Sequence, residues 1–165
     1  MNVLALFKPI GVFVFDVDGV MTDGTLQVLG NGELSRKMNI KDGYALQLAV
    51  KKGYRVAVIS GGKSPGVVKR LQGLGITDVF TGVGGKSEVL DAYLAKYAIP
   101  PEKILYMGDD MPDLAAMKRV GLPACPADAV PEIKAICRYI SFAVGGRGCV
   151  RDVIEKVLKL NGHWE

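Results

Sequence analysis

Short apolar runs alternate with amphipathic stretches along most of the sequence, and this alternation restricts the possible folds more than any other feature. The predicted strands are Val12–Phe15, Arg55–Ile59, Asp78–Phe80, Ile104–Met107, 122–124 and, more weakly, 139–142. The predicted helices are 44–51, 65–74, 87–97, 114–120, 130–137 and 150–160. Strands that alternate with helices usually pair in parallel and carry helices on both faces of the sheet. The sequence therefore predicts an α/β fold, a three-layer sandwich around a central parallel sheet.

One segment interrupts the alternation between the first predicted strand and the first predicted helix. Residues 25–37 have strand-like character on both sides of Asn31-Gly32, a dipeptide that is typical of type I′ hairpin turns. We predict a β-hairpin flap at about residues 25–37, at the carboxyl edge of the sheet, where open α/β folds bind ligands. A loop without a functional role is the alternative interpretation.

Composition and charge exclude several classes of protein. The 165 residues suit one domain, and 49% apolar with 23% charged residues is a globular composition. The formal net charge is only +4 and the basic pairs are scattered, so no nucleic-acid partner is predicted. No apolar run approaches the roughly 18 residues of a membrane span, and Lys8 and Pro9 interrupt the apolar start. We therefore expect neither a membrane segment nor a secretion signal.

The cysteines and the single histidine argue against two further kinds of site. Cys125, Cys137 and Cys149 are odd in number and form no CxxC pair, so we expect reduced thiols and a cytoplasmic location. His163 is the only histidine in the sequence. A histidine-based catalytic triad or zinc site is therefore not expected.

Two acidic clusters follow predicted strands. Asp16 and Asp18 come directly after the first strand, and Asp109, Asp110 and Asp113 follow the strand Ile104–Met107. The carboxyl ends of parallel strands lie at the same edge of the sheet, so the two clusters are expected to lie close together. Carboxylates brought together there need a cation or ligand to offset their charge, and oxygen ligands favour Mg²⁺. The sequence therefore indicates a magnesium site at this edge.

The two strand ends between these clusters add a hydroxyl group and a lysine. Ser60-Gly61-Gly62 follows the second strand, and Lys86 begins the helix after the third. Each residue alone has an ordinary interpretation as a turn, a cap or a solvated charge. Together they indicate phosphoryl transfer, in which one carboxylate attacks phosphorus while a second moves the proton. The lysine and the hydroxyl would hold the phosphoryl oxygens.

The series Asp16-x-Asp18, Ser60, Lys86 and Gly108-Asp109-Asp110-x-x-Asp113 resembles the four motifs of the haloacid dehalogenase superfamily of phosphatases. This resemblance implies that Asp16 is the nucleophile and Asp18 the acid and base, while Ser60 and Lys86 clamp the phosphoryl group. It also implies that Asp16, the backbone carbonyl of Asp18, and Asp109 bind Mg²⁺. Asp110 and Asp113 would lie around these ligands, Asp113 orienting a metal-bound water or Lys86.

Further motifs are similar to a capless branch of that superfamily that acts on phosphorylated keto-sugar acids. The resemblance extends over nearly the whole chain, through residues 16–24, the hairpin, residues 39–43 and residues 145–148. It implies a Rossmann-like domain over residues 1–165 without a cap, and a homotetramer in which the flap of one subunit helps to close a neighbour's site. The implied substrate-binding residues are Asp18, Asn39, Ile40, Lys41, Asp42, Gly43, Gln47, Gly61, Gly62, Arg70 and Lys86.

The spacing of the motifs independently favours a capless domain. Only the hairpin and one helix fit between Asp16 and Ser60, and only one strand–helix step fits between Ser60 and Lys86. Substrate selection and the exclusion of water must then come from elsewhere, and a second subunit is the simplest source.

The resemblance leaves the length of the sugar acid open. An acidic residue near position 62, found in the branch that acts on a nine-carbon acid, is absent, so an eight-carbon acid for lipopolysaccharide synthesis is favoured. Gly62 and Gln47 stand where some members carry arginine, and Lys63 is a candidate replacement. The contacts with the substrate carboxylate are therefore expected to differ in this chain.

Other functions share parts of this pattern. A phosphoacceptor domain of the receiver type also uses an aspartate and Mg²⁺, but it does not need a second carboxylate at Asp18. A sugar phosphomutase would need a cap. A non-catalytic assembly module would need none of the four intact residues Asp16, Asp18, Lys86 and Asp109.

Overall fold

A six-stranded parallel sheet forms the centre of the protein, whose structure is a computed structural model that describes residues 2–165. The strands of the sheet lie in the order β5-β4-β1-β6-β7-β8. Their bounds are Val12–Phe15 (β1), Arg55–Ile59 (β4), Asp78–Phe80 (β5), Ile104–Met107 (β6), Leu122–Cys125 (β7) and Tyr139–Ile140 (β8). The short strands Gln27–Val28 (β2) and Leu34–Ser35 (β3) form a separate antiparallel pair.

Helices cover both faces of the sheet. Their bounds are Ile40–Lys51 (α1), Pro65–Gly73 (α2), Lys86–Tyr97 (α3), Leu114–Met117 (α4), Pro131–Ile136 (α5) and Cys149–Leu160 (α6). Side chains alternate between the faces of β1: Phe13 and Phe15 pack with α1, α2 and α6, whereas Val12 and Val14 pack with α3, α4 and α5. The predicted three-layer α/β architecture is therefore confirmed.

The hairpin is present, but its predicted turn type is wrong. A type I′ turn needs positive φ at both central residues, and only Gly32 has one, at 86°. Instead, Gly32 N donates to Leu29 O at 2.9 Å, and Leu29 N donates to Glu33 O at 2.9 Å, which gives a three-residue loop. The Asn31 side chain accepts from Glu33 N at 3.0 Å. We refer to residues 25–37 as the flap.

Two helix ends differ from their predicted positions. The first helix begins at Ile40 rather than at residue 44, because the side chain of Asn39 accepts from Lys41 N and Asp42 N. The fourth helix ends at Met117 rather than at residue 120. Over residues 2–165, no helix has the length and apolar character needed to cross a membrane.

Candidate active site

Four loops at the carboxyl edge of the sheet enclose an acidic cleft of about 260 Å³. The central strands β1, β4 and β6 and the start of α3 deliver its side chains, because neighbouring parallel strands end at the same edge. The residues that line the cleft include Asp16, Asp18, Ser60, Gly61, Gly62, Lys86, Asp109, Asp110 and Asp113. The structure thus brings together the residues of all four strand ends singled out in the sequence.

Lys86 lies buried between two carboxylates. Its Nζ is 2.9 Å from Asp16 Oδ1 and 2.8 Å from Asp113 Oδ1. Burial alone lowers the pKa of Lys86, but the attraction of Asp113 and Asp16 outweighs burial, and the net pKa shift is upward. The lysine therefore remains a cation in a site with little solvent, where an ammonium group binds phosphoryl oxygens strongly.

Asp113 is held by three donors. Its Oδ1 accepts from Lys86 Nζ and, at 3.0 Å, from the Tyr106 hydroxyl, while its Oδ2 accepts from Asp109 N at 3.1 Å. Tyr106 is a residue that the sequence analysis missed. It lies in the apolar strand β6, where an aromatic residue is expected to pack in the hydrophobic core. Only its hydroxyl group indicates in the sequence that it would need a polar partner.

The carboxylates of Asp16, the candidate nucleophile, and of Asp109 lie close to each other. Burial, followed by repulsion from Asp113, raises the pKa of Asp16 to about 8 and the pKa of Asp109 to about 7. Asp16 Oδ1 also accepts from Val17 N at 2.7 Å, which fixes the orientation of the carboxylate. A bound cation would offset the repulsion that these pKa values record.

The donor set fits a hard divalent cation. One carboxylate oxygen from each of Asp16, Asp109 and Asp113 lies within 4.8 Å of the others. Asp109 Oδ1 is buried and has no hydrogen-bond partner within residues 2–165, whereas both oxygens of Asp113 already have donors. The turn after β1 can approach the Asp109 carboxylate closely because residue 19 is glycine. A Cβ at residue 19 would lie 1.9 Å from Asp109 Oδ2. Asp16 and Asp109 therefore have the capacity to bind the ion, with Asp113 as their support.

Asp18 is bound by an arginine of the flap. Arg36 Nε donates to Asp18 Oδ1 at 2.6 Å, and Arg36 Nη2 donates to Asp18 Oδ2 at 3.2 Å. The hydrogen bond to Asp18 raises the pKa of Arg36. Arg36 could not be predicted as a site residue, since nothing in the sequence indicates which carboxylate a flap residue will meet after the hairpin folds.

The serine and glycines after β4 form another part of the cleft wall. Ser60 is buried, and its Oγ accepts from Gly62 N at 3.2 Å. Gly61 and Gly62 line the cleft next to it. This loop therefore offers a hydroxyl group and a backbone without side chains to a phosphoryl group.

Residues 39–43 do not line the acidic cleft. Asn39 caps α1 and donates from Nδ2 to Gly146 O at 3.2 Å, and the buried Asp42 accepts from Arg151 N at 2.9 Å, at the start of α6. Burial raises the pKa of Asp42. The side chains of Ile40 and Lys41 are exposed. In a single subunit, this segment holds helices in place, and its contact with substrate stays a prediction.

A second, larger cavity of about 760 Å³ lies between the flap and the start of α2. Arg36, Lys63 and Arg70 bring positive charge to its lining, and Glu33 brings a negative charge. Gly43 is buried in α1 against the guanidinium group of Arg70, and Gln47 is half-buried in the same helix and lines neither cavity. Of the predicted substrate-binding residues outside the cleft, Arg70 alone lines this second cavity.

The fold and the acidic cleft are those of a haloacid dehalogenase-type hydrolase, and the family model for haloacid dehalogenase-like hydrolases matches residues 73–144. The 3-deoxy-D-manno-octulosonate 8-phosphate phosphatase of Escherichia coli K12 is 37% identical over 161 residues, covering 98% of this chain and 86% of that protein. The chain belongs to the 3-deoxy-D-manno-octulosonate 8-phosphate phosphatase family, and it is a phosphatase.

Solved structures agree with this assignment. A probable YrbI family phosphatase from Pseudomonas syringae has a TM-score of 0.94 at 36% identity, covering 98% of this chain and 92% of that chain. A 3-deoxy-D-manno-octulosonate 8-phosphate phosphatase from Moraxella catarrhalis, solved with a magnesium ion, a phosphate ion and a KDO molecule, has a TM-score of 0.92 at 31% identity. This match covers 96% of the present chain and 91% of the Moraxella catarrhalis chain.

Proposed function

We propose that this phosphatase is a Mg²⁺-dependent phosphomonoesterase that hydrolyses 3-deoxy-D-manno-octulosonate 8-phosphate to 3-deoxy-D-manno-octulosonate and phosphate, for lipopolysaccharide precursor synthesis. The observation that carries the chemistry is the buried Lys86, which bridges Asp16 and Asp113 next to the unpartnered Asp109 Oδ1. The substrate class is supported by the family to which the chain belongs.

The reaction uses two carboxylates of one turn. A carboxylate oxygen of Asp16 attacks phosphorus, and the bond between phosphorus and the sugar oxygen breaks as Asp18 gives that oxygen a proton. The product is an aspartyl phosphate on Asp16. Asp18 then takes a proton from a water molecule, whose oxygen attacks phosphorus and releases phosphate and the Asp16 carboxylate.

Charge at the phosphoryl group is stabilised from two sides. Lys86 Nζ and the Ser60 hydroxyl hold the phosphoryl oxygens, while Gly61 and Gly62 let the backbone approach closely. Asp113 keeps Lys86 in position. The Asp16 and Asp109 carboxylates and the Asp18 backbone carbonyl would hold the Mg²⁺, which supplies screening between an anionic nucleophile and an anionic phosphate.

The sugar acid extends from the acidic cleft into the larger cavity. Arg36, Lys63 and Arg70 give that cavity an excess of positive charge, which suits a carboxylate. The predicted contacts with residues 39–43 and Gln47 would then come from a neighbouring subunit or from a rearranged helix start.

We further propose a single capless domain that works as a homotetramer in the cytoplasm. Between β1 and α1 the chain forms only the flap, and between β4 and β5 it forms only α2. The flap exposes four large apolar side chains, Leu26, Val28, Leu29 and Leu34, which is typical of a protein–protein contact. Closure of a site by a neighbour's flap would exclude water in place of a cap.

Phosphate release with Mg²⁺ tests the proposal. The panel contains the eight-carbon and nine-carbon keto-sugar acid phosphates, common hexose phosphates and phosphoserine. We expect kcat/KM for the eight-carbon acid to exceed the others by at least about 100-fold, or about 2.7 kcal/mol. Preference for the nine-carbon acid would keep the chemistry and change the substrate, and no release from any member would refute the proposed function.

A further inference from the structure

Arg36 lies at the junction between the two cavities. It lines the larger cavity, and its guanidinium group binds Asp18, which lines the acidic cleft. Its Nε and Nη2 donate to Asp18, and its Nη1 donates to Leu34 O at 3.2 Å. A guanidinium group has five N–H donors, so two remain after these three bonds.

The position of Arg36 depends on the absence of a side chain at residue 62. A Cβ on Gly62 would lie 2.7 Å from Arg36 Nη2 and 3.2 Å from Asp18 Oδ2. Gly62 follows β4, whereas Arg36 belongs to the flap. The guanidinium group of Arg36 therefore occupies space that a side chain at position 62 would otherwise take. A cationic side chain can therefore reach this junction either from position 36 or from position 62.

We propose that Arg36 is a specificity-determining residue that binds the carboxylate of the keto-sugar acid through its two remaining N–H donors. This inference rests on the proposed function and names the recognition residue of that site. An arginine matches a carboxylate with a planar pair of donors. Neighbouring Lys63 and Arg70 add positive charge to the same cavity and draw an anionic substrate toward it.

A purely structural role for Arg36 predicts a different result. If the ion pair with Asp18 only holds the flap down or orients Asp18, its loss slows turnover of every substrate alike. If Arg36 binds the carboxylate, its loss weakens only substrates that carry one. The ratio of kcat/KM values for two substrates with the same phosphate end separates the two roles.

The experiment compares 3-deoxy-D-manno-octulosonate 8-phosphate with D-arabinose 5-phosphate, which keeps a phosphate end and lacks the keto acid. We expect Arg36→Met to lower the ratio of kcat/KM for the keto acid phosphate to kcat/KM for D-arabinose 5-phosphate by about 30-fold. The main cause should be a higher KM for the keto acid phosphate. Arg36→Lys keeps the charge but not the paired donors, and should lower this ratio less. Arg119→Met, which removes an arginine from the exposed pair with Asp91, is the matched control and should leave the ratio unchanged.

A second variant tests the shared space. In Arg36→Met/Gly62→Arg the guanidinium group returns from position 62, and we expect the ratio to recover by at least about 10-fold relative to Arg36→Met. If the wild type is active but Arg36→Met loses the same fraction of kcat/KM for both substrates, the ratio is unchanged. That result would overturn the role of Arg36 and leave the proposed function intact. A wild type that releases no phosphate from either substrate would overturn the proposed function and this inference with it.

Discussion

Lys86 keeps its charge in a buried site because two carboxylates face it, and we predict that it is indispensable. Lys86→Met removes the ammonium group from the phosphoryl oxygens and leaves Asp16 and Asp113 to repel each other. Removal of one such stabilising group typically costs about 100- to 1,000-fold in kcat, and we expect at least that loss. Phosphate release under saturating substrate measures it. Lys159→Met, at an exposed pair with Glu155, is the control, and equal activity of the two variants would contradict the role of Lys86.

The buried acids also predict how the stability of the metal-free protein depends on pH. Because burial raises the pKa of Asp16 to about 8 and of Asp109 to about 7, the folded chain binds more protons than the unfolded chain above pH about 4. The free energy of unfolding should therefore fall as pH rises toward 8. Mg²⁺ binds the deprotonated carboxylates, so it should raise Tm more at pH 8 than at pH 5.

Thermal unfolding with a chelator and with Mg²⁺ at both pH values measures this dependence. Asp109→Asn removes one of the two titrating groups and one metal ligand, so it should weaken both the pH dependence and the gain from Mg²⁺. A gain in Tm that is equal at pH 5 and pH 8 in the wild type would contradict the assignment of the metal ligands.

At the scale of the elements, the start of α1 is fixed by one side chain. Asn39 Oδ1 accepts from Lys41 N at 2.8 Å and from Asp42 N at 3.3 Å. We expect Asn39→Ala to lower the free energy of unfolding by about 1 kcal/mol, the usual cost of a lost N-cap. Asn39→Asp keeps a capping oxygen but loses the Nδ2 bond to Gly146 O, so it should lose less stability than Asn39→Ala. Urea unfolding of the three proteins checks this, and equal losses in the two variants would argue against capping.

The elements that follow from local patterns could be predicted, and those that depend on long-range register could not. The strand Val12–Phe15 is a continuous apolar run, and Asp16 and Asp18 follow it directly, so the sheet and its acidic edge were accessible from the sequence. The Arg36–Asp18 pair joins residues that are 18 positions apart, through a hairpin whose turn was assigned to the wrong type. Its geometry depends on how the flap folds back, which no local periodicity encodes.

At the scale of the whole molecule, the capless domain that we propose would have to exclude water by other means. Leu26, Val28, Leu29 and Leu34 are exposed on the flap beside the larger cavity, although apolar side chains of this size are usually covered. The simplest cover is another copy of the chain, since closed homo-oligomers bury such patches symmetrically. The catalytic residues and the assembly surface are then linked, because the flap that carries Arg36 also carries the exposed patch.

This link gives a prediction for the assembly. We expect the wild type to have a solution mass near four times the chain mass of 17.7 kDa, and Val28→Glu to shift it toward that of the monomer. Because an open site admits water and loses the neighbour's contacts, the same variant should lower kcat/KM by about 10-fold or more. Leu4→Glu, which changes an exposed apolar residue outside the flap, should alter neither quantity. Light scattering and phosphate release on the same samples measure both, and a fully active wild-type monomer would refute the shared site.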